Sequence, residues 1–157
     1  MAIKETYLEM RARHEKEVNE FPFMFAFNKQ QFEEGCKKLG VTDPKAELFA
    51  LRGTGGFYRK TDAERLHEMT KRHNDEMDAA MLDEEFAVGA FCYEAGNHEY
   101  QINLDPDFDM ANCFGYPYNR SEDRIEWEKV PNGEKLAEFY IKGVRQHLRW
   151  ASEHNAY

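Results

Sequence analysis

The chain has 157 residues, 41% of them hydrophobic and 14% aromatic. That length suits one domain over residues 1–157, and the apolar content excludes a disordered chain despite 32% charged residues. The formal net charge of −9 removes the usual driving term for binding phosphate backbones, so no direct nucleic-acid binding is expected and a basic protein surface is the natural partner.

Ile3, Tyr7, Met10, His14 and Val18 recur at helical spacing and predict an amphipathic first helix ending near Phe21-Pro22, packed as a lid. Residues 23–27, Phe-Met-Phe-Ala-Phe, are too few for a helix and read as a buried strand or extended segment. Asn28 is placed to cap a helix through Phe32, Cys36 and Leu39 that Gly40 stops. Residues 47–51 and 57–59 flank Gly53-Thr54-Gly55-Gly56, the pattern of a short hairpin or a glycine turn.

Thr61 followed by Glu64 is the spacing of a capping box, after which Leu66, Met69, His73, Met77 and Ala80 form one helical face. Phe86, Ala90, Tyr93, Asn97 and Tyr100 make a matching face on the next helix, which Val88, Phe91, Cys92 and Ala95 render apolar nearly all round and therefore the most buried element. Residues 105–121 read as a long ordered loop with one short helix. From Gly133, the residues Leu136, Tyr140, Val144, His147 and Ala151 predict a C-terminal helix. The fold class is mainly α with a small β element, its central helix pair spanning Thr61–Leu82 and Asp83–Tyr100.

Two clusters could carry chemistry. Glu94 and His98 lie four apart on one helical face, so His67 or His73 from the preceding helix could complete a site for zinc or another divalent metal. The spacing matches neither Glu-x-x-His nor His-Glu-x-x-His, because Lys71 stands where the second histidine would be needed. The reading with His73 as an inward-facing, hydrogen-bonded residue, and Asn97 and His98 as helix terminators, is preferred for that reason. The second cluster is Arg52, Gly53, Gly55, Gly56, Arg59 and Lys60, whose backbone amides and cations could cradle a phosphate. It lacks the spacing of either phosphate-binding glycine motif, which favours a tight turn with glycines at positive φ.

Nucleophilic catalysis has little support. The chain has no G-x-S-x-G, and Cys92 sits among Ala90, Phe91 and Tyr93, where burial would leave an inert thiol. Cys36, Cys92 and Cys113 lie far apart without a CxxC pair, which argues against both a disulfide framework and a zinc ribbon and for a reducing cytoplasm. No apolar run is long enough to span a membrane. Tyr116, Tyr118 and Trp127 could form an aromatic interaction surface or fold back over the core.

Four segments taken together, Phe25-Ala26-Phe27 with Phe32-Glu33-Glu34-Gly35 and Leu39-Gly40, residues 53–60, Leu66-His67-Glu68-Met69 with Arg72-His73, and Asn97-His98-Glu99-Tyr100, resemble a family of small acidic proteins of uncharacterised function from Firmicutes and their phages and mobile elements. The resemblance covers Phe23 to Asn103 and implies a bacterial or phage origin and a cytoplasmic setting, with no catalytic residues to transfer. The functional expectation is a non-enzymatic acidic protein without a cofactor, an anti-CRISPR or other anti-defence inhibitor binding a basic host defence nuclease. The rival expectation is a metal- or phosphate-binding protein, in the limit a hydrolase, using the glycine loop and His67, His73, Glu94 and His98 with Glu99.

Overall fold

The computed structural model describes residues 4–156 and divides the chain into two compact units, Arg11–Glu76 and the described residues up to Met10 together with those from Met77 on. The protein is mainly α with a small antiparallel β element, as its periodicities predict. The unit boundaries fall inside two helices, α1 (Tyr7–Glu20) and α4 (Ala63–Ala80).

In the Arg11–Glu76 unit, β1 (Met24–Phe25), α2 (Lys29–Leu39), the single turn α3 (Pro44–Glu47), β2 (Leu48–Leu51) and β3 (Gly56–Arg59) follow one another. Asn28 caps α2 by accepting a 2.8 Å bond from the Gln31 amide, and Gly40 ends it in the left-handed region at φ 69°. The sheet order is β1-β3-β2, all antiparallel, with Met24 opposite Phe57 and Phe49 opposite Tyr58. Strand alternation splits the sheet into two faces. Met24, Leu48 and Phe57 turn inward and cluster with Phe32, Cys36, Leu39 and Val41. Phe25 is 54% exposed and Phe27 78%, so only Met24 of the predicted buried segment is core.

A 3-10 turn over Lys60–Asp62 leads into α4 in place of the expected capping box. Buried Asp62 is the better anchor there, bonded 2.7 Å to Arg59 Nε and 3.1 Å to Arg65 Nη1.

The other unit is organised around α5 (Glu84–Asn97) and α7 (Gly133–Glu153). Ala87, Ala90, Phe91 and Ala95 of α5 have no exposed surface, and α7 presents Leu136, Phe139, Tyr140, Val144, His147 and Ala151 at helical spacing. Tyr7 and Met10 from the start of α1 join this core. Asp83 caps α5, its Oδ1 accepting from the Phe86 amide at 3.1 Å. The stretch 105–121, expected as loop with one short helix, contains α6 (Pro106–Phe114) and β4 (Tyr118–Asn119), which pairs in a hairpin with β5 (Arg124–Ile125). Pro106 opens α6, and Gly115 closes it at φ 73°. No helix among the described residues is long and apolar enough to cross a membrane.

The α5–α7 crossing depends on a missing side chain. A Cβ at Gly143 would stand 2.6 Å from the Phe91 Cβ and 2.8 Å from the Val88 carbonyl oxygen, whereas one at Gly89 meets nothing within 4 Å. Gly143→Ala therefore loses stability by about 1–3 kcal/mol through overpacking, although alanine is the better helix former. Gly89→Ala gains about 0.5–1 kcal/mol. Urea unfolding of the two variants beside the wild type reads both signs.

Candidate functional site

The histidines of the predicted metal cluster fall in different units. On α5, Glu94 and His98 do share a face, with His98 Nε2 3.5 Å from Glu94 Oε2. Glu94 is 2% exposed. Its Oε1 accepts a 2.8 Å bond from the Tyr7 hydroxyl and its Oε2 a 3.2 Å bond from Asn97 Nδ2. The residue that joins this pair is Cys113 of α6, so that a carboxylate oxygen, an imidazole nitrogen and a sulfur lie within 4.8 Å of one another. No spacing in the chain announces that meeting, since Cys113 arrives through the turns that follow α5.

His67 is exposed on α4. His73 belongs to a network that sequence reading overlooked. Arg13-His14-x-x-Glu17 on α1 and Arg72-His73-x-x-Glu76 on α4 repeat one pattern, and each motif's carboxylate serves the other motif. His14 Nε2 lies 3.2 Å from Glu76 Oε2, and His73 Nε2 3.3 Å from Glu17 Oε2. The second contact lacks hydrogen-bond geometry, and His73 Nε2, expected to be hydrogen-bonded, has no hydrogen-bond partner. The two imidazoles stack with centroids 3.9 Å apart and planes at 13°. Arg72 bonds both Glu17 and Glu76, and Arg13 pairs with Glu76. The signal was legible as two identical R-H-x-x-E strings, each placing its histidine and glutamate on one helical face.

The glycine segment forms the β2–β3 turn. Gly53 and Gly55 take φ 76° and 72°, the Thr54 amide donates to the Leu51 carbonyl and the Gly56 amide to Thr54 Oγ1. Arg52 is exposed, Arg59 is engaged by Asp62, and the Lys60 ammonium sits 5.0 Å over the Phe49 ring. Gly56 is the first residue of β3.

Tyr116, Tyr118 and Trp127 pack partly buried against the core, with Tyr116 and Trp127 rings 5.0 Å apart. Burial pushes the Tyr116 phenol well above its ordinary value. Exposed aromatic rings lie instead on the outer face of the three-stranded sheet, where Phe25 and Phe49 are exposed and Phe23 and Tyr58 half-buried. There Phe23 stands 6.2 Å from Phe25 and 6.3 Å from Tyr58, and Tyr58 5.7 Å from Phe49. Cys92 is half-buried with its thiol pushed up by burial, as an inert core cysteine should be.

Residues 6–146 match the model of a sequence family. The chain belongs to DUF7659, a family of unknown function. The DUF7659 match extends beyond the segments that suggested a relationship, taking in both R-H-x-x-E motifs and Cys113 as well as Glu94 and His98. No curated protein and no solved structure matches the chain.

The paired motifs imply a definite response to acid. Bonding from Arg72, aided by His73, holds Glu17 down to about 2, and bonding from Arg13, His14 and Arg72 does the same for Glu76. Carboxyls depressed in the folded state contribute stability above the ordinary carboxylate value and lose it as pH falls toward the folded value. The stability of the wild type thus declines between about pH 4.5 and pH 2. In the E17Q/E76Q double variant, unfolding midpoints followed by circular dichroism are lower at pH 7 and flatter across that window. Equal slopes for both proteins would show that these carboxylates contribute nothing.

Proposed function

We propose that the protein is a non-enzymatic acidic interaction protein, an anti-defence inhibitor of the kind carried by phages and mobile elements, whose partner is a basic host defence protein such as a nuclease. The observation that carries this reading is how charge divides between the units. The Arg11–Glu76 unit has 13 Lys and Arg against 12 Asp and Glu, net +1, while the remainder has 8 against 18, net −10. The acidity of the chain is thus concentrated in one unit, where it raises encounter rates with a positive surface and repels phosphate backbones.

Charge steers, but affinity needs desolvated anchors. The outer sheet face, with Phe25 and Phe49 exposed and Phe23 and Tyr58 half-buried beside them, supplies large rings of the type that anchor interfaces. The bacterial and mobile-element setting rests on the resemblance of residues 23–103.

Binding to random duplex DNA at physiological salt is expected to be unmeasurable. Affinity capture from bacterial host lysate, at low and high salt, should enrich a basic protein. With that partner purified, the E85Q/E134Q/E138Q variant, altered at three exposed acidic positions of the net −10 unit, associates several-fold more slowly, and Phe25→Ala dissociates faster. Binding indifferent to both salt and these substitutions, or turnover of a phosphoester or peptide by the purified protein, would replace this reading.

A further inference from the structure

We propose that Glu94, His98 and Cys113 form a binding site for a divalent transition metal ion, with zinc as the ion the ligand set suits best. This goes beyond the interaction reading and does not depend on it. One thiolate, one imidazole and one carboxylate are the donor types that zinc accepts together, and a thiolate disfavours magnesium and calcium, which take oxygen. Their donor atoms lie within 4.8 Å of one another. In a tetrahedral zinc site, bonds of about 2.0–2.3 Å set neighbouring donors roughly 3.3–3.7 Å apart, so closing the site takes side-chain movements on the order of 1 Å.

The three residues divide the tasks of a built site. Glu94 is the fixed member, because it is buried and the Tyr7 hydroxyl holds its Oε1 while Oε2 faces His98. Outer partners of this kind orient ligating carboxylates in known metal centres. His98 stands just past the last residue of α5, and the Asn103 side-chain amide donates to its carbonyl at 3.0 Å. Cys113 is exposed near the end of α6, which gives the ion a path from solvent and leaves a fourth position for water. The net −10 of the surrounding unit raises the local concentration of cations. Binding would convert the Cys113 thiol to thiolate, releasing its proton to water, so affinity rises with pH.

Cobalt(II) is a coloured probe for such a site. Titrated into the reduced full-length protein, it is expected to saturate at one equivalent, with strong tetrahedral d–d absorption and a thiolate-to-cobalt band in the near ultraviolet. Zinc should then displace it stoichiometrically. In Cys113→Ser, an exposed position whose metal-free thermal midpoint should not move, the charge-transfer band disappears and zinc affinity, measured against a chromophoric chelator, falls at least about tenfold. His98→Gln, which keeps Cys113, weakens zinc by a similar factor. The proposal is overturned if cobalt gives no saturable spectrum, if the thiolate band survives Cys113→Ser, or if both variants bind zinc as the wild type does.

Discussion

A carboxylate sits at the centre of the α5 core with 2% exposure. An ion so placed costs several kcal/mol unless it is bonded on both oxygens, and Glu94 is answered by Tyr7, Asn97 and His98. The requirement propagates. Tyr7 comes from the first turn of α1, 87 residues away in sequence, so satisfying Glu94 fastens the start of the chain to the middle of α5. Tyr7 also lies 6.0 Å from the Phe86 ring and 6.3 Å from Phe114, which ties α6 to the same point. With one side of α5 committed to this polar contact, its apolar face is left to α7, and the two helices approach closely enough that Gly143 has no room for a methyl group. Burial on both sides explains why α5 shows almost no apolar stripe of its own.

The two units solve the problem of buried charge differently. In the first, the carboxylates of Glu17 and Glu76 stay partly exposed and are surrounded by two arginines and two stacked histidines, a network whose members compensate one another at the surface. In the second, Glu94 is sunk in the core, where hydroxyl, amide and imidazole groups meet its two oxygens. Glu94, unlike the two surface carboxylates, stands with an imidazole nitrogen and a sulfur within 4.8 Å, the mixed donor set of a transition-metal site.

Much of the fold was legible because it rests on local chemistry. The Asn28 and Gly40 caps, the glycine hairpin and the faces of α5 and α7 all depend on residues within a turn or two of one another. What escaped depends on distant partners or short signals. The one short helix expected within residues 105–121 is the nine-residue α6, but the Pro, Gly, Asn and Tyr content of the stretch leaves its bounds open, although Pro106 and Gly115 mark them. Asp62, not the Thr61–Glu64 pair, anchors the start of α4, because its partners Arg59 and Arg65 are reached only once the strand and helix are in place. Helical spacing pairs Glu94 with His98 but offers His67 and His73 as their companions. Spacing is blind to Cys113, which approaches from another element. The R-H-x-x-E repeat escapes for the opposite reason: its information is polar, and apolar periodicity does not carry it.

The central claim is that the Tyr7–Glu94 contact holds α1 to α5. A double-mutant cycle with Tyr7→Phe, Glu94→Gln and the combined variant, read by urea unfolding at neutral pH, measures it directly. A hydrogen bond from a buried hydroxyl to a charged acceptor predicts a coupling of about 1.5–3 kcal/mol. Additive losses, with coupling within about 0.5 kcal/mol of zero, would contradict the account.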